Sequence, residues 1–109
     1  MTLGVGGSNS EQALNTLSDM TAGVHPISDG EFQSRIEKAQ RLMAEQDIAA
    51  LYLHAGTSLY YFTGMRWNGS ERMVGAVLLR SGPPVFIAPA FEKGTLEQFM
   101  RIQGDVITW

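Results

Sequence analysis

Ile48-Ala49-Ala50-Leu51-Tyr52-Leu53 is a short apolar run without polar alternation. That pattern fits a strand covered on both faces, as in α/β proteins. On its N-terminal side, Ser28 to Glu31 reads as a helix capping box, and Ile27 and Phe32 sit where a hydrophobic staple closes. Phe32, Ile36, Ala39, Leu42 and Met43 then form one apolar stripe, with Arg35, Glu37, Lys38, Arg41 and Glu45 mainly opposite. The spacing predicts a helix from Asp29 to Gln46.

Further upstream, Ser8 to Glu11 reads as a second capping box, followed by Ala13, Leu14, Leu17 and Met20 at helical spacing. Gly23 is expected to stop that helix, and His25-Pro26 to form an extended link. Residues 1–7 are glycine-rich and expected to fray.

Downstream, Gly56-Thr57-Ser58 breaks the strand, and Leu59 and Phe62 suit one face of a short helix with Gly64 at its end. Residues 65–71 form a polar loop. Val74–Leu79 and Val85–Ala88 read as strands joined by Ser81-Gly82-Pro83-Pro84, a natural hairpin. A third long helix is expected from Phe91 to Ile102, and a fourth strand over Val106–Trp109. The predicted fold is a three-layer α/β arrangement with a mixed sheet in the order 3-2-1-4, strand four lying parallel to strand one on an edge. An apolar edge strand at a terminus invites pairing. The reading therefore expects a fragment or an edge covered by another chain.

Composition excludes several classes of function. The chain has 109 residues, with eight basic and eleven acidic side chains and no cysteine. It offers no basic field for nucleic acid, no disulfide framework, no thiol nucleophile and no cysteine zinc site. Its apolar runs fall far short of the ~20 residues that span a membrane. Residues 1–7 lack the charged and apolar regions of a secretory signal, so a cytoplasmic location is expected.

Chemistry-bearing residues are sparse. His25 and His54 stand apart, with no H-x-x-H or H-E-x-x-H spacing. His54 reads as a half-buried strand-end residue and His25 as a linker residue. Glu31, Glu37, Glu45, Glu92 and Glu97 fall on helix surfaces, and Asp105 alone sits at a strand start. No glycine-rich phosphate loop is formed. The stretch from Tyr60 to Arg72 is richer, gathering Tyr60, Tyr61, Phe62, Arg66, Trp67, Asn68 and Arg72. Arginine offers a planar fork for a carboxylate and tryptophan a flat apolar wall. The competing reading puts Tyr60 and Phe62 in the core and stacks Arg66 on Trp67.

The second helix, Ala49–Leu53, Leu59–Gly64, Ala76–Leu79 and Val85–Pro89 together resemble the N-terminal domain of the creatinase/prolidase family. The most specific piece is Tyr60-Tyr61-Phe62-Thr63-Gly64, which is similar to that family's tyrosine-rich Thr-Gly turn. The resemblance covers residues 28–109. Residues 1–27 read as an N-terminal extension with one helix. The resemblance implies a ribonuclease-H-like fold in a domain that normally runs longer, so truncation at the C-terminal end is expected. It implies a non-catalytic role, because in this family a separate pita-bread domain holds two divalent metal ions of the manganese, cobalt or zinc type. That domain hydrolyses the bond before proline, or creatine in creatinase. Metallopeptidase activity is therefore expected of a parent protein, with no catalytic residue and no metal site in this chain. Nucleases of this topology need acids on the first strand, and Ile48–Leu53 has none. The family also implies a homodimer in which Arg66 and Trp67, with Tyr61 nearby, reach the neighbouring subunit's pocket for a proline-containing peptide. The alternatives are a small-molecule-binding α/β domain or an interaction domain with no peptidase parent.

Overall fold

The computed structural model describes residues 6–109. Most of the glycine-rich start that was expected to fray, residues 1–5, lies outside the described residues. Helix α1 (Ser10–Asn15) begins one residue later than the sequence pattern predicts. Asn9 is its cap, accepting from Gln12 N at 2.8 Å while the Gln12 side chain accepts from Asn9 N at 3.3 Å. It ends well before Gly23, because no residue of it is buried and a helix of six residues has no tertiary packing to extend it.

Helix α2 (Asp29–Glu45) is the principal helix. Ser28 Oγ accepts from Glu31 N at 3.1 Å, and the Glu31 carboxylate pairs with Arg35 rather than returning to the cap. The expected stripe is buried at Phe32, Ile36 and Met43, whereas Leu42 is largely exposed. The helix closes on Asp47, the one non-glycine residue at positive φ (56°) among the described residues. Ile48 N then donates to Met43 O at 2.8 Å, capping a free carbonyl of the last turn.

The sheet contains β1 (Ala50–His54), β2 (Gly75–Leu79), β3 (Val85–Ala88) and β4 (Asp105–Thr108). Between β1 and β2 lies helix α3 (Thr57–Thr63); between β3 and β4 lie a 3-10 turn (Ala90–Glu92) and helix α4 (Lys93–Phe99). The sheet is mixed, as expected, and the hairpin β2–β3 is formed. Its order is β1-β2-β3-β4, which corrects the predicted 3-2-1-4. β4 lies parallel to β3, not β1, because the α4 connection returns to the strand it left and need not cross the hairpin. Close backbone approach fixes this pairing: a Cβ on Gly104 would lie 2.1 Å from Pro84 O. The ladder continues past β4, with Trp109 N donating to Ala88 O and Ala90 N to Trp109 O. The predicted third long helix is also shorter than expected. Met100 is extended (ψ 130°), which turns the chain so that Ile102 is buried with Phe32, Ile36, Met43 and Leu78 rather than with Leu96.

Register sets the two faces of the sheet. Leu51 faces Leu78, Leu53 faces Ala76, Ala76 faces Phe86, and Phe86 faces Val106, all on one side. The apolar residues of α2, α3 and α4 pack on that side. Tyr52, Val77, Leu79, Ile87 and Ile107 share the other side, where Tyr52, Leu79 and Ile107 are exposed. The expectation that the first strand is covered on both faces is corrected accordingly: the described residues form the sheet and the helical layer on one face. The same open face leaves His54 exposed rather than half-buried.

Candidate functional site

The Thr-Gly turn after α3 places the site. Thr63 is fully buried, yet its hydroxyl donates to Leu59 O at 2.7 Å and accepts from Met65 N at 3.2 Å. Gly64 takes φ 74° and donates to Tyr60 O at 2.8 Å, ending the helix. Met65 returns to the core. The chain is therefore pinned on both sides of Gly64, and Arg66, the next residue, leaves the surface from a fixed point.

Arg66 does not stack on Trp67. Its guanidinium carbon lies 5.2 Å from the centroid of the Tyr60 ring. Trp67 is half-buried and meets Phe99 edge-on at 6.1 Å. Arg66 and Trp67 nevertheless share one shallow recess of about 350 Å³, completed by Gly56, Thr57, Tyr60 and Asn68. No salt bridge among the described residues involves Arg66, so its charge is available to an anion. Tyr61 is not part of this recess. It lies under the Arg35 guanidinium at 4.3 Å and against Phe62 at 4.9 Å, while Arg35 Nη1 donates to Tyr61 O. The expected trio thus divides into a pair, Arg66 with Trp67, and Tyr61 on the α2 side. Tyr60, which one of the two sequence readings put in the core, is partly buried against it and also lines the recess. The signal for it was its position one helical turn before the αL glycine, where its ring stays beside the departing chain.

The remaining polar residues do not converge. His54 Nδ1 lies 2.9 Å from the Tyr52 hydroxyl on the open face, and burial pushes the Tyr52 phenol up from its ordinary value. His25 is exposed in the link before α2. Among the described residues, no three histidine, cysteine or acidic side chains come together as a metal site. These residues do not fit the two-metal centre that the resemblance implies for a catalytic domain. No helix among the described residues is long and apolar enough to cross a membrane.

The family described as the Creatinase/Prolidase N-terminal domain matches residues 35–109. No curated protein matches the chain. Among solved structures, dipeptidase PepE from Mycobacterium ulcerans is similar with a TM-score of 0.66 and 23% identity, over 78% of this chain and 24% of that one. A prolidase from Thermococcus sibiricus gives a TM-score of 0.62 and 27% identity, over 78% of this chain and 22% of that one. The N-terminal domain of an Xaa-Pro dipeptidase from Lactobacillus brevis gives 0.59 and 25% identity, over 69% and 55%. The chain spans about a quarter of the length of the first two of these proteins. With the match running from the middle of α2 through β4, this chain belongs to the creatinase/prolidase N-terminal domain family.

Proposed function

We propose that this domain is the non-catalytic N-terminal part of an Xaa-Pro peptidase. It supports pairing of subunits and lends Arg66 and Trp67 to the rim of the neighbouring subunit's substrate pocket. The observation that supports this reading is the outward-facing Arg66, free of any described salt bridge, beside the Trp67 ring in one recess. A guanidinium fork suits the carboxylate of a peptide ending in proline, and the indole suits its apolar ring. Divalent metal chemistry belongs, in this reading, to the catalytic domain. A chain without cysteine needs no oxidising compartment, which agrees with work in the cytoplasm.

The test is Arg66→Ala in the peptidase that carries this domain. Loss of a charge-assisted contact of about 1.5–3 kcal/mol lowers kcat/KM for an Xaa-Pro dipeptide by roughly ten- to 150-fold at unchanged metal content. An unchanged kcat/KM overturns the rim assignment. This chain alone with manganese cleaves nothing, and measurable cleavage refutes the non-catalytic role. One observation favours a second reading, an interaction domain with no peptidase parent: the open apolar sheet face bearing Tyr52, Leu79 and Ile107.

A further inference from the structure

The arginines of this fold differ in their partners. Arg35, Arg80 and Arg101 each donate to a carboxylate, on Glu31, Asp47 and Asp29 respectively, and each also to a backbone carbonyl. Arg66 has only the Tyr60 ring, 5.2 Å from its guanidinium carbon. The difference matters for ligand binding. A carboxylate partner occupies the N–H fork, whereas an aromatic ring attracts the cation without accepting its in-plane hydrogen bonds.

Tyr60 is itself held firmly. Its ring packs beside the cluster of Phe32, Ile36, Met43, Leu78 and Ile102, and it meets Phe32 edge-on at 5.8 Å and 72°. Its carbonyl accepts from Gly64 N, so ring and backbone are both tied to the Thr-Gly turn. Phe32 in turn is fully buried in α2. A rigid stack thus runs from the principal helix through Phe32 and Tyr60 to the guanidinium at the recess.

We infer that Tyr60 is a positioning residue whose ring holds the Arg66 guanidinium at the recess with its donors free for a ligand carboxylate. The inference rests on the rim reading above and deepens it by naming what aims the arginine. It requires the ring and not the hydroxyl, so phenylalanine replaces Tyr60 and leucine does not.

Two measurements test it. In the peptidase that carries this domain, Tyr60→Leu raises KM about two- to fivefold for a dipeptide with a free carboxylate. It raises KM for the corresponding dipeptide amide by clearly less, and Tyr60→Phe stays closer to the parent than Tyr60→Leu does on the free-carboxylate substrate. In NMR spectra of this chain, the Arg66 side-chain protons carry a ring-current shift that Tyr60→Leu abolishes and Tyr60→Phe keeps. A Tyr60→Leu effect equal on both substrates, or no effect on either, overturns the inference, as does an Arg66 shift that survives Tyr60→Leu. If Arg66→Ala leaves KM for the free-carboxylate substrate unchanged, the rim reading fails. The carboxylate role assigned to Tyr60 falls with it, and the NMR arm still decides separately whether its ring holds Arg66.

Discussion

A Cβ on Gly64 would lie 2.6 Å from Cε2 of Phe32. The glycine that ends α3 is therefore pressed flat against the central aromatic of α2, at φ 74°. Two separate penalties meet in Gly64→Ala. The left-handed conformation costs a residue with a Cβ about 1–2 kcal/mol, and overpacking against a fully buried ring adds about 1–3 kcal/mol. Urea denaturation of this variant is expected to show a loss of roughly 2–5 kcal/mol. Adding Phe32→Leu relieves the steric part and leaves the conformational part, so the two substitutions couple. A Gly64→Ala protein within about 0.5 kcal/mol of the parent refutes this account of the turn.

Gly104 plays the corresponding part for β4, outside the left-handed region. Its missing Cβ would meet Pro84 O at 2.1 Å and the Phe86 ring at 3.0 Å. The first of these atoms is backbone and cannot swing aside. Gly104→Ala is expected to push β4 away from β3 while the β1–β2–β3 pairing survives. Hydrogen exchange resolves the two regions. Protection is lost at the amides of Ala90 and Trp109, which link the ends of β3 and β4, and is kept at the paired residues of β1 and β2. Uniform loss across the sheet counts against this local effect.

These two glycines mark the limit of what the sequence disclosed. Ser28, the stripe through Phe32 and Ile36, the hairpin at Ser81–Pro84 and Gly64 were legible because capping, helical period and turn chemistry are local. The strand order was not. Gly104 reads in sequence as a helix stop, and its contact with Pro84, twenty residues earlier, appears only in three dimensions. The open face was likewise hidden, because Tyr52, Ile87 and Ile107 are as apolar as their covered neighbours. Arg66 and Trp67, singled out by residue chemistry and the family resemblance, share one recess. Tyr61, expected beside them, lies on the α2 side while Tyr60 lines the recess, because adjacent helical residues point about 100° apart and composition does not say which one faces it.

The two sheet faces predict opposite tolerances. Leu96 is fully buried among Leu59, Phe86 and Ala88. Leu96→Ala removes buried methyl groups and leaves a cavity, for an expected loss of about 2–5 kcal/mol. Ile107 is 57% exposed on the open face, and Ile107→Thr keeps the β-branch that suits a strand. It is expected to shift stability by no more than about 0.5 kcal/mol. Paired denaturant midpoints measure both. A loss at Ile107 comparable to that at Leu96 shows that the face is covered in solution.

Tyr52 gives the fold an alkaline signature. Its ring lies over Gly75, where a Cβ would come within 2.9 Å of Tyr52 Cε1 and of the hydroxyl. The hydroxyl meets His54 Nδ1 at 2.9 Å and Val74 O at 3.4 Å. Burial raises the phenol above its ordinary 10.0, and a carbonyl acceptor gives no help to a phenolate. Below about pH 10 the phenol is protonated in both folded and unfolded chains, and stability does not change on its account. Above that value the unfolded chain loses its proton first, so the folded state binds more protons and stability falls with rising pH. The fall continues until pH passes the folded value. Denaturation followed from pH 9 to 11 is expected to decline more steeply for the parent chain than for Tyr52→Phe, whose difference curve isolates this one group from the other tyrosines and lysines. Parallel curves for the two proteins show that the Tyr52 hydroxyl titrates as it does in water.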